Sequence, residues 1–332
     1  MTGLFDVAVV GGGPAGLNAA LMLGRARRQL VVCDAGTPRN AASHAMHGFL
    51  SRDGSLPAEF LAAARAQLAR YDGIHLREAN VAAAAHDGDH FVLRVDGGEE
   101  VVARRLLLAT GLVDVLPLID GLAAHWGRGV FHCPYCDGWE VRDQPLVALG
   151  NGRAGFLLAL QLTGWSRDLV LCTNGPADLD EPARHKLSAL GITLREDPIV
   201  RLEGTGGTLA RIVFASGPAR PCRAAFVHAA TRQASELPRH LGCSMSDDGI
   251  VLVNDIGQTD VPGVYAAGDM ARRPTQPIPG AQVIIAAASG VAAAVGIDIE
   301  LRTSDAGVPF PFAPSRTTPG ASAQPSSRVV RF

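Results

Sequence analysis

The sequence predicts an α/β fold of two Rossmann-like, dinucleotide-binding domains, the second inserted in the first. Three observations predict it. One apolar run ends in Gly11-Gly12-Gly13-Pro14-Ala15-Gly16, another ends in Gly150-Asn151-Gly152-Arg153-Ala154-Gly155, and Cys133-Pro134-Tyr135-Cys136-Asp137 lies between them. A glycine turn that joins a strand to a helix lets backbone N–H groups and the positive helix end hold a pyrophosphate.

In chain order, residues 5–10 read as a strand, 17–24 as a helix and 30–34 as a second strand, which makes a βαβ unit. Asp34 stands 23 residues beyond Gly11, near the separation at which a carboxylate meets the ribose of a dinucleotide. Residues 36–53 are irregular and are expected to pass over a bound cofactor, and residues 57–71 read as a helix. Strand patterns follow at 91–95 and 105–109, the latter ending in Ala109-Thr110-Gly111, where the chain is expected to leave the first domain.

The second unit reads as strand 146–149, glycine turn, helix 156–162 and strand 169–172. Residues 263–269 form a strand ending in Gly268-Asp269, followed by a helix beginning near Gln282, which predicts a return to the first domain. The expected division is therefore 1–117 with 248–303, an inserted 118–247 that carries the cysteine pair, and a Pro/Ser-rich tail, 304–332. Phe310, Phe312 and Phe332 give that tail a means of docking.

Composition narrows the function classes. With 332 residues, 47% hydrophobic and 19% charged, the chain reads as globular rather than disordered. A net charge of -2 gives no electrostatic reason to expect nucleic acid or an acidic membrane surface as partner. Six cysteines are too few for a secreted disulfide scaffold, so a reducing cytoplasm is the expected compartment. The N-terminal apolar run carries Asp6 and lacks a basic stretch, unlike a signal peptide. The apolar stretch 281–295 falls short of the ~20 residues a membrane span needs and is expected to be a buried helix.

The C-x-x-C pair carries the chemistry. Two thiols at this spacing can close a disulfide, and a flavin held by the first fingerprint can accept or supply the two electrons. A thiol of pKa ~8.5 is mostly protonated at neutral pH, so the start of a helix is expected to favour the thiolate. Asp137, or alternatively His132, is expected to carry the proton. Zinc is not expected, because no second C-x-x-C or spaced histidine pair accompanies the first. Cys33 and Cys172, which end apolar strands, read as core residues, and Cys222 and Cys243, unpaired by motif, as inert. His44 and His47 lie in the loop expected near the cofactor, as structural or functional residues; His125 and Trp126 either wall a substrate pocket or pack between domains.

Taken together, these motifs over residues 4–300 resemble the low-molecular-weight thioredoxin reductase family, and within it the FAD-dependent dithiol oxidases of the holomycin and gliotoxin type. The resemblance implies FAD, a homodimer and a set of cofactor-binding positions. Gly11, Gly13 and Gly16 would face the pyrophosphate and Asp34 the adenosine ribose, with Pro14 and Ala15 of the same turn and Arg39, Asn40 and His47 of the loop as further cofactor-binding positions. Thr110, Gly111, Gly268, Asp269, Gln282 and Val283 would complete the set, Asp269 at the ribityl-phosphate region and Gln282 beside the isoalloxazine. By the same resemblance Cys136 is the thiol in contact with flavin, Cys133 the thiol that exchanges with substrate, and Asp137 the acid–base group. The loop 47–54 and the segment 282–288 resemble the oxidases, whereas Asp137 stands where those oxidases often carry histidine.

The second fingerprint keeps Gly150, Gly152 and Gly155, but the strand after it ends Leu171-Cys172-Thr173-Asn174-Gly175. It lacks both the arginine patch that binds a 2′-phosphate and the acid that suits NADH. Losing two charge-assisted hydrogen bonds of ~1.5–3 kcal/mol each lowers NADPH affinity by about two to four orders of magnitude. A vestigial nicotinamide site is therefore expected. The favoured reaction is oxidation of a small-molecule dithiol with oxygen as acceptor. The alternatives are reduction of a thioredoxin-like protein by NAD(P)H or ferredoxin, and a non-catalytic flavin-binding redox sensor.

Overall fold

A computed structural model describes residues 3–276 and 280–312. The chain opens with strand β1 (Leu4–Val10), helix α1 (Pro14–Arg25), β2 (Leu30–Asp34), α2 (Pro57–Leu68) and β3 (Ile74–Glu78). A meander follows: β4 (Val81–Asp87), β5 (His90–Val95) and β6 (Glu100–Leu108). β3, β2, β1 and β6 are parallel neighbours, and β5 and β4 continue the sheet antiparallel from the first half of β6.

Beyond β7 (Leu112–Val115), the short helix α3 (Leu122–His125) and β8 (Val130–Phe131), the dithiol occupies helix α4 (Pro134–Asp137). The second βαβ unit is β9 (Leu146–Leu149), α5 (Gly152–Leu162) and β10 (Leu169–Cys172), continued by α6 (Glu181–Ala189) and β11 (Thr193–Arg195). Strands β12 (Ile199–Thr205), β13 (Thr208–Phe214) and β14 (Arg220–Pro221) make an antiparallel sheet, and β15 (Ala224–Val227) completes a parallel sheet of order β11-β10-β9-β15-β8. The chain returns through β16 (Ala230–Gln233), α7 (Leu237–His240) and β17 (Val251–Leu252) to β18 (Val264–Ala266), which pairs with the second half of β6; β19 (Ala271–Arg272) and α8 (Val283–Asp305) follow. The outgoing β7 and the returning β16 are hydrogen-bonded to each other, antiparallel.

Both faces of β1 are covered, as a near-continuous apolar strand requires. Val7 and Val9 pack with α1 and α8, whereas Ala8 and Val10 pack with Phe91, Leu93, Leu106 and Leu108 of the meander side. α1 and α8 approach closely, since a Cβ at Gly290 would strike the Ala15 carbonyl.

Several boundaries differ from the sequence reading. α1 and α5 each begin at their glycine turn, several residues earlier than expected, and α2 ends at Leu68 rather than near residue 71. Helix α8 has 23 residues rather than about 15, long and apolar enough to cross a membrane, so the length argument fails. What marks it as a core helix is its second half. Ala293, Ala294, Ile297 and Leu301 are fully buried, and Asp298 and Glu300 pair with Arg28 (2.7 Å) and Arg105 (2.9 Å). The helix also runs two residues into the expected tail; Phe310 and Phe312 meet edge-on at 5.8 Å, while Phe332 lies outside the described residues.

Candidate functional site

The two halves of the site meet in a cavity of about 590 Å³. The glycine turn at the start of α1, Asp34 at the end of β2, and Cys136 and Asp137 of the dithiol segment all line it. Arg39, Asn40 and His47 from the loop after β2, Thr110 and Gly111 after β6, Gly268 and Asp269 after β18, and Gln282 and Val283 at the head of α8 complete the wall. His132 lines it too, its ring tilted against Trp126 at a centroid distance of 6.1 Å. A loop, four strand ends and two helix starts thus converge on one volume.

Two of the expected residues stand elsewhere. Gly16 does not line the cavity; a Cβ there would strike the Gly11 carbonyl oxygen, so its lack of a side chain serves the packing of α1 on its own turn. Gly13 is the open glycine of the turn, with nothing within 4 Å of the place a Cβ would take. Cys133 also lies outside the cavity wall, 5.3 Å in Cα–Cα distance from Cys136, to which it is disulfide-bonded.

The dithiol helix is shorter than the thiolate argument assumed. α4 is a single turn with Cys133 at its N-cap, so few peptide dipoles are aligned to favour a thiolate. Acid–base capacity comes instead from Asp137. Burial pushes its carboxyl up to about 7; the charge of His47 pulls it down and Glu140 adds to the rise. A carboxyl titrating there exchanges protons in both directions at neutral pH. The alternative, His132, is held below the usual imidazole range by burial and by Arg39, with Asp114 opposing.

Arg39 organises two carboxylates of the cavity. Its guanidinium donates to both oxygens of Asp114 (Nε 3.0 Å, Nη2 2.5 Å) and to Asp269 (Nη1 2.8 Å). Burial pushes the Asp269 carboxyl above its ordinary range, and Arg39 pulls it back. Asp34 accepts a hydrogen bond from Arg65 of α2 and packs so closely on Gly12 that a side chain there would collide with its carboxylate.

Gly12, Arg65 and Asp114 are the residues that sequence reasoning missed. Asp114 left one trace, an acid in an apolar stretch just past Thr110-Gly111, and Arg65 left none. Trp126 lines the cavity, as a pocket wall would, whereas His125 is buried and hydrogen-bonded to the Gly207 carbonyl oxygen at 3.0 Å. The four remaining cysteines are buried; burial pushes Cys33 up to about 11 and Cys172 and Cys222 up to about 12.

At the second fingerprint the Asn151 side chain accepts hydrogen bonds from the N–H groups of Gly152 (2.7 Å) and Asp178 (2.8 Å) and donates to the Pro176 carbonyl oxygen (2.9 Å). The loop after β10 is thereby tied to the start of α5, with the Asp178 carboxylate 3.5 Å from the place a Gly152 Cβ would take.

The family model described as pyridine nucleotide-disulphide oxidoreductase matches residues 5–289. The chain belongs to that family. Thioredoxin reductase tcpT of Claviceps purpurea is 37% identical over 281 residues, covering 80% of this chain and 86% of that protein. Thioredoxin reductase sirT of Leptosphaeria maculans is 30% identical over 330 residues, covering 91% of this chain and 96% of its own. Among solved structures, HlmI superposes with a TM-score of 0.85 at 37% identity, covering 92% of this chain and 95% of HlmI. An oxidoreductase from Agrobacterium tumefaciens gives 0.83 at 34%, covering 91% and 99%. As a thioredoxin reductase-like member of the pyridine nucleotide-disulphide oxidoreductases, the protein is an FAD-dependent enzyme.

The cavity fits that cofactor. The open Gly13 leaves room beside the α1 N-terminus, which would hold a pyrophosphate, and Asp34, which would hold a ribose, lines the same cavity as Cys136. FAD held in this cavity would supply a two-electron acceptor or donor, and Cys136 is the dithiol sulfur residue on its wall.

Proposed function

We propose that the protein oxidises a small-molecule dithiol to its disulfide through Cys133 and Cys136, with FAD taking the electrons and oxygen as final acceptor. The division of labour is FAD on residues 1–117 and 248–303 and the dithiol on the inserted 118–247. The observation that carries the oxidase direction is the state of the second fingerprint. Its helix start is capped by Asn151 and faced by Asp178, and Thr173-Asn174 follow β10 where a 2′-phosphate site needs arginine. A carboxylate at a helix N-terminus opposes a pyrophosphate by charge.

The exchange balances as follows. One substrate sulfur attacks Cys133, the Cys133–Cys136 bond breaks, and Cys136 leaves as thiolate while the S–H proton passes to the Asp137 carboxylate. The second substrate sulfur then attacks the first, closing the substrate disulfide and releasing Cys133 as a thiolate that takes up the second S–H proton. The substrate loses two electrons and the cysteine pair gains them. Attack falls on Cys133 because Cys136 faces the cavity that FAD fills.

The names of the curated relatives favour a second reading, reduction of a thioredoxin-like protein with NAD(P)H or ferredoxin as donor. Anaerobic oxidised enzyme mixed in parallel with NADPH, NADH and dithiothreitol separates the two. Dithiothreitol is expected to bleach the flavin band and oxygen to restore it with peroxide formed, while NADPH and NADH leave the band unchanged within the same time. Rapid bleaching by either nucleotide overturns the oxidase reading.

A further inference from the structure

We propose that Arg39 is a positioning residue for the dithiol: by tying Asp114 of β7 to the first domain, it holds residues 116–229 where Cys136 lines the flavin cavity. This rests on the exchange through Cys133 and Cys136 proposed above and names the group that sets its geometry.

Three separate parts of the chain meet at one guanidinium. Arg39 belongs to the loop after β2, Asp114 to the strand that leads out to the insert, opposite Thr231 of the returning β16, and Asp269 follows β18 of the first sheet. Nη2 and Nε donate to the two oxygens of Asp114 at 2.5 and 3.0 Å, while Nη1 donates to Asp269 at 2.8 Å. Only a planar fork can make the paired contact and the third bond together. Side-chain exposure is 18% at Arg39, 8% at Asp114 and 19% at Asp269, so solvent and salt weaken the tie little.

Both ends on the first-domain side are fixed. Gly268, directly before Asp269, donates its N–H to Ser289 Oγ of α8 at 2.9 Å, and the loop turns on itself through Ala41 N–H to Pro38 O and Ser43 N–H to Asn40 O, each 3.0 Å. The same loop meets the insert at two further places. A Cβ at Gly127 would come within 2.8 Å of the Ala42 carbonyl carbon, and His47 Nε2 stands 3.6 Å from Glu140 Oε1 in the turn after α4. Domains joined by narrow connections move relative to one another by default, and a two-stranded ribbon such as β7–β16 is a weak restraint by itself. A buried, bidentate pair at its base fixes the direction in which the insert leaves.

Iodoacetamide labelling in saturating FAD tests the tie without turnover, and so independently of which donor or acceptor the flavin uses. In a Cys133→Ser background, Asp114→Asn is expected to speed alkylation of Cys136 by about tenfold or more, because the insert is released while Arg39 keeps Asp269 as partner. An unchanged rate overturns the proposal. Cys172 in the core of the insert and Cys243 in that of the first domain are buried internal controls. Their labelling is expected to stay at the parent level; a parallel rise, the mark of general loosening, overturns the proposal as well.

Arg39→Lys keeps the charge and loses the fork, and is expected to speed labelling of Cys136 too. A parent rate there overturns the assignment to Arg39. The Cys133→Ser parent separates this idea from the reading beneath it. If its Cys136 is already labelled as fast as Cys133 in Cys136→Ser, the distinction between the two sulfurs fails and the proposal falls with it; if the parent is slow and both variants stay slow, only the tie fails.

Discussion

Cys136 lines the cavity and its disulfide partner Cys133 does not. The pair therefore has an inner and an outer sulfur, and the two are not interchangeable.

Single-cysteine variants read this asymmetry directly. In Cys136→Ser the remaining Cys133 is expected to be alkylated by iodoacetamide about tenfold or more faster than Cys136 in Cys133→Ser, where bound FAD shields the thiol. Mass spectrometry of the labelled peptides over time gives both rates. Equal rates would place both sulfurs on one side. Dithiol turnover that survives Cys136→Ser would remove the exchange mechanism altogether.

The glycine turn separates folding from binding. Gly16→Ala sets a methyl group against the Gly11 carbonyl and is expected to lower soluble yield and melting temperature. Gly13 has φ -78°, a conformation open to any residue, and free space around it. Gly13→Ala is expected to fold with the melting temperature of the cofactor-free parent and to retain less FAD, measured by absorbance of the purified protein.

Asp137 gives stability a pH signature whose sign is set by its raised carboxyl. Between the ordinary value of 3.8 and about 7 the folded chain binds more protons than the unfolded chain, so stability falls as pH rises through that window. Asp137→Asn removes the penalty. The cofactor-free variant is expected to be more stable than its parent at pH 8 by on the order of 2–4 kcal/mol, and to converge with it below about pH 4. Urea unfolding across pH measures the difference.

Arg39 bridges two carboxylates that are both largely buried. Removing one member of a buried ionic group leaves the others uncompensated, so Arg39→Met is expected to cost about 3–5 kcal/mol at pH 8. The loss is smaller at pH 5, where Asp269, already pushed up by burial, takes up a proton more readily. Denaturant curves at the two pH values test the direction.

Much of this site was legible because its chemistry is local. The glycine turn, Asp34, Thr110-Gly111, Gly268-Asp269 and the dithiol each announce themselves within a few residues, and all but Gly16 and Cys133 of the expected set line the cavity. What was not legible depends on separation in sequence. Arg65 reaches Asp34, at the end of β2, from helix α2, and Asp114 reaches Arg39 across 75 residues. The length of α8 was underestimated because apolarity was read as the extent of the helix; its last turns carry charges that pair across the fold. The single turn of α4 was equally hidden, since Pro134 starts helices of any length.

The antiparallel pair β7 and β16 sets Val115 opposite Ala230. Everything from 116 to 229 thus leaves and re-enters at one point, as a loop whose neck is already stapled by backbone hydrogen bonds. Because the entropy of closing a loop grows only logarithmically, by about 0.6 kcal/mol per doubling, its size burdens the first sheet very little. Residues 116–229 are in this sense a cassette, hung from two neighbouring, hydrogen-bonded strand ends.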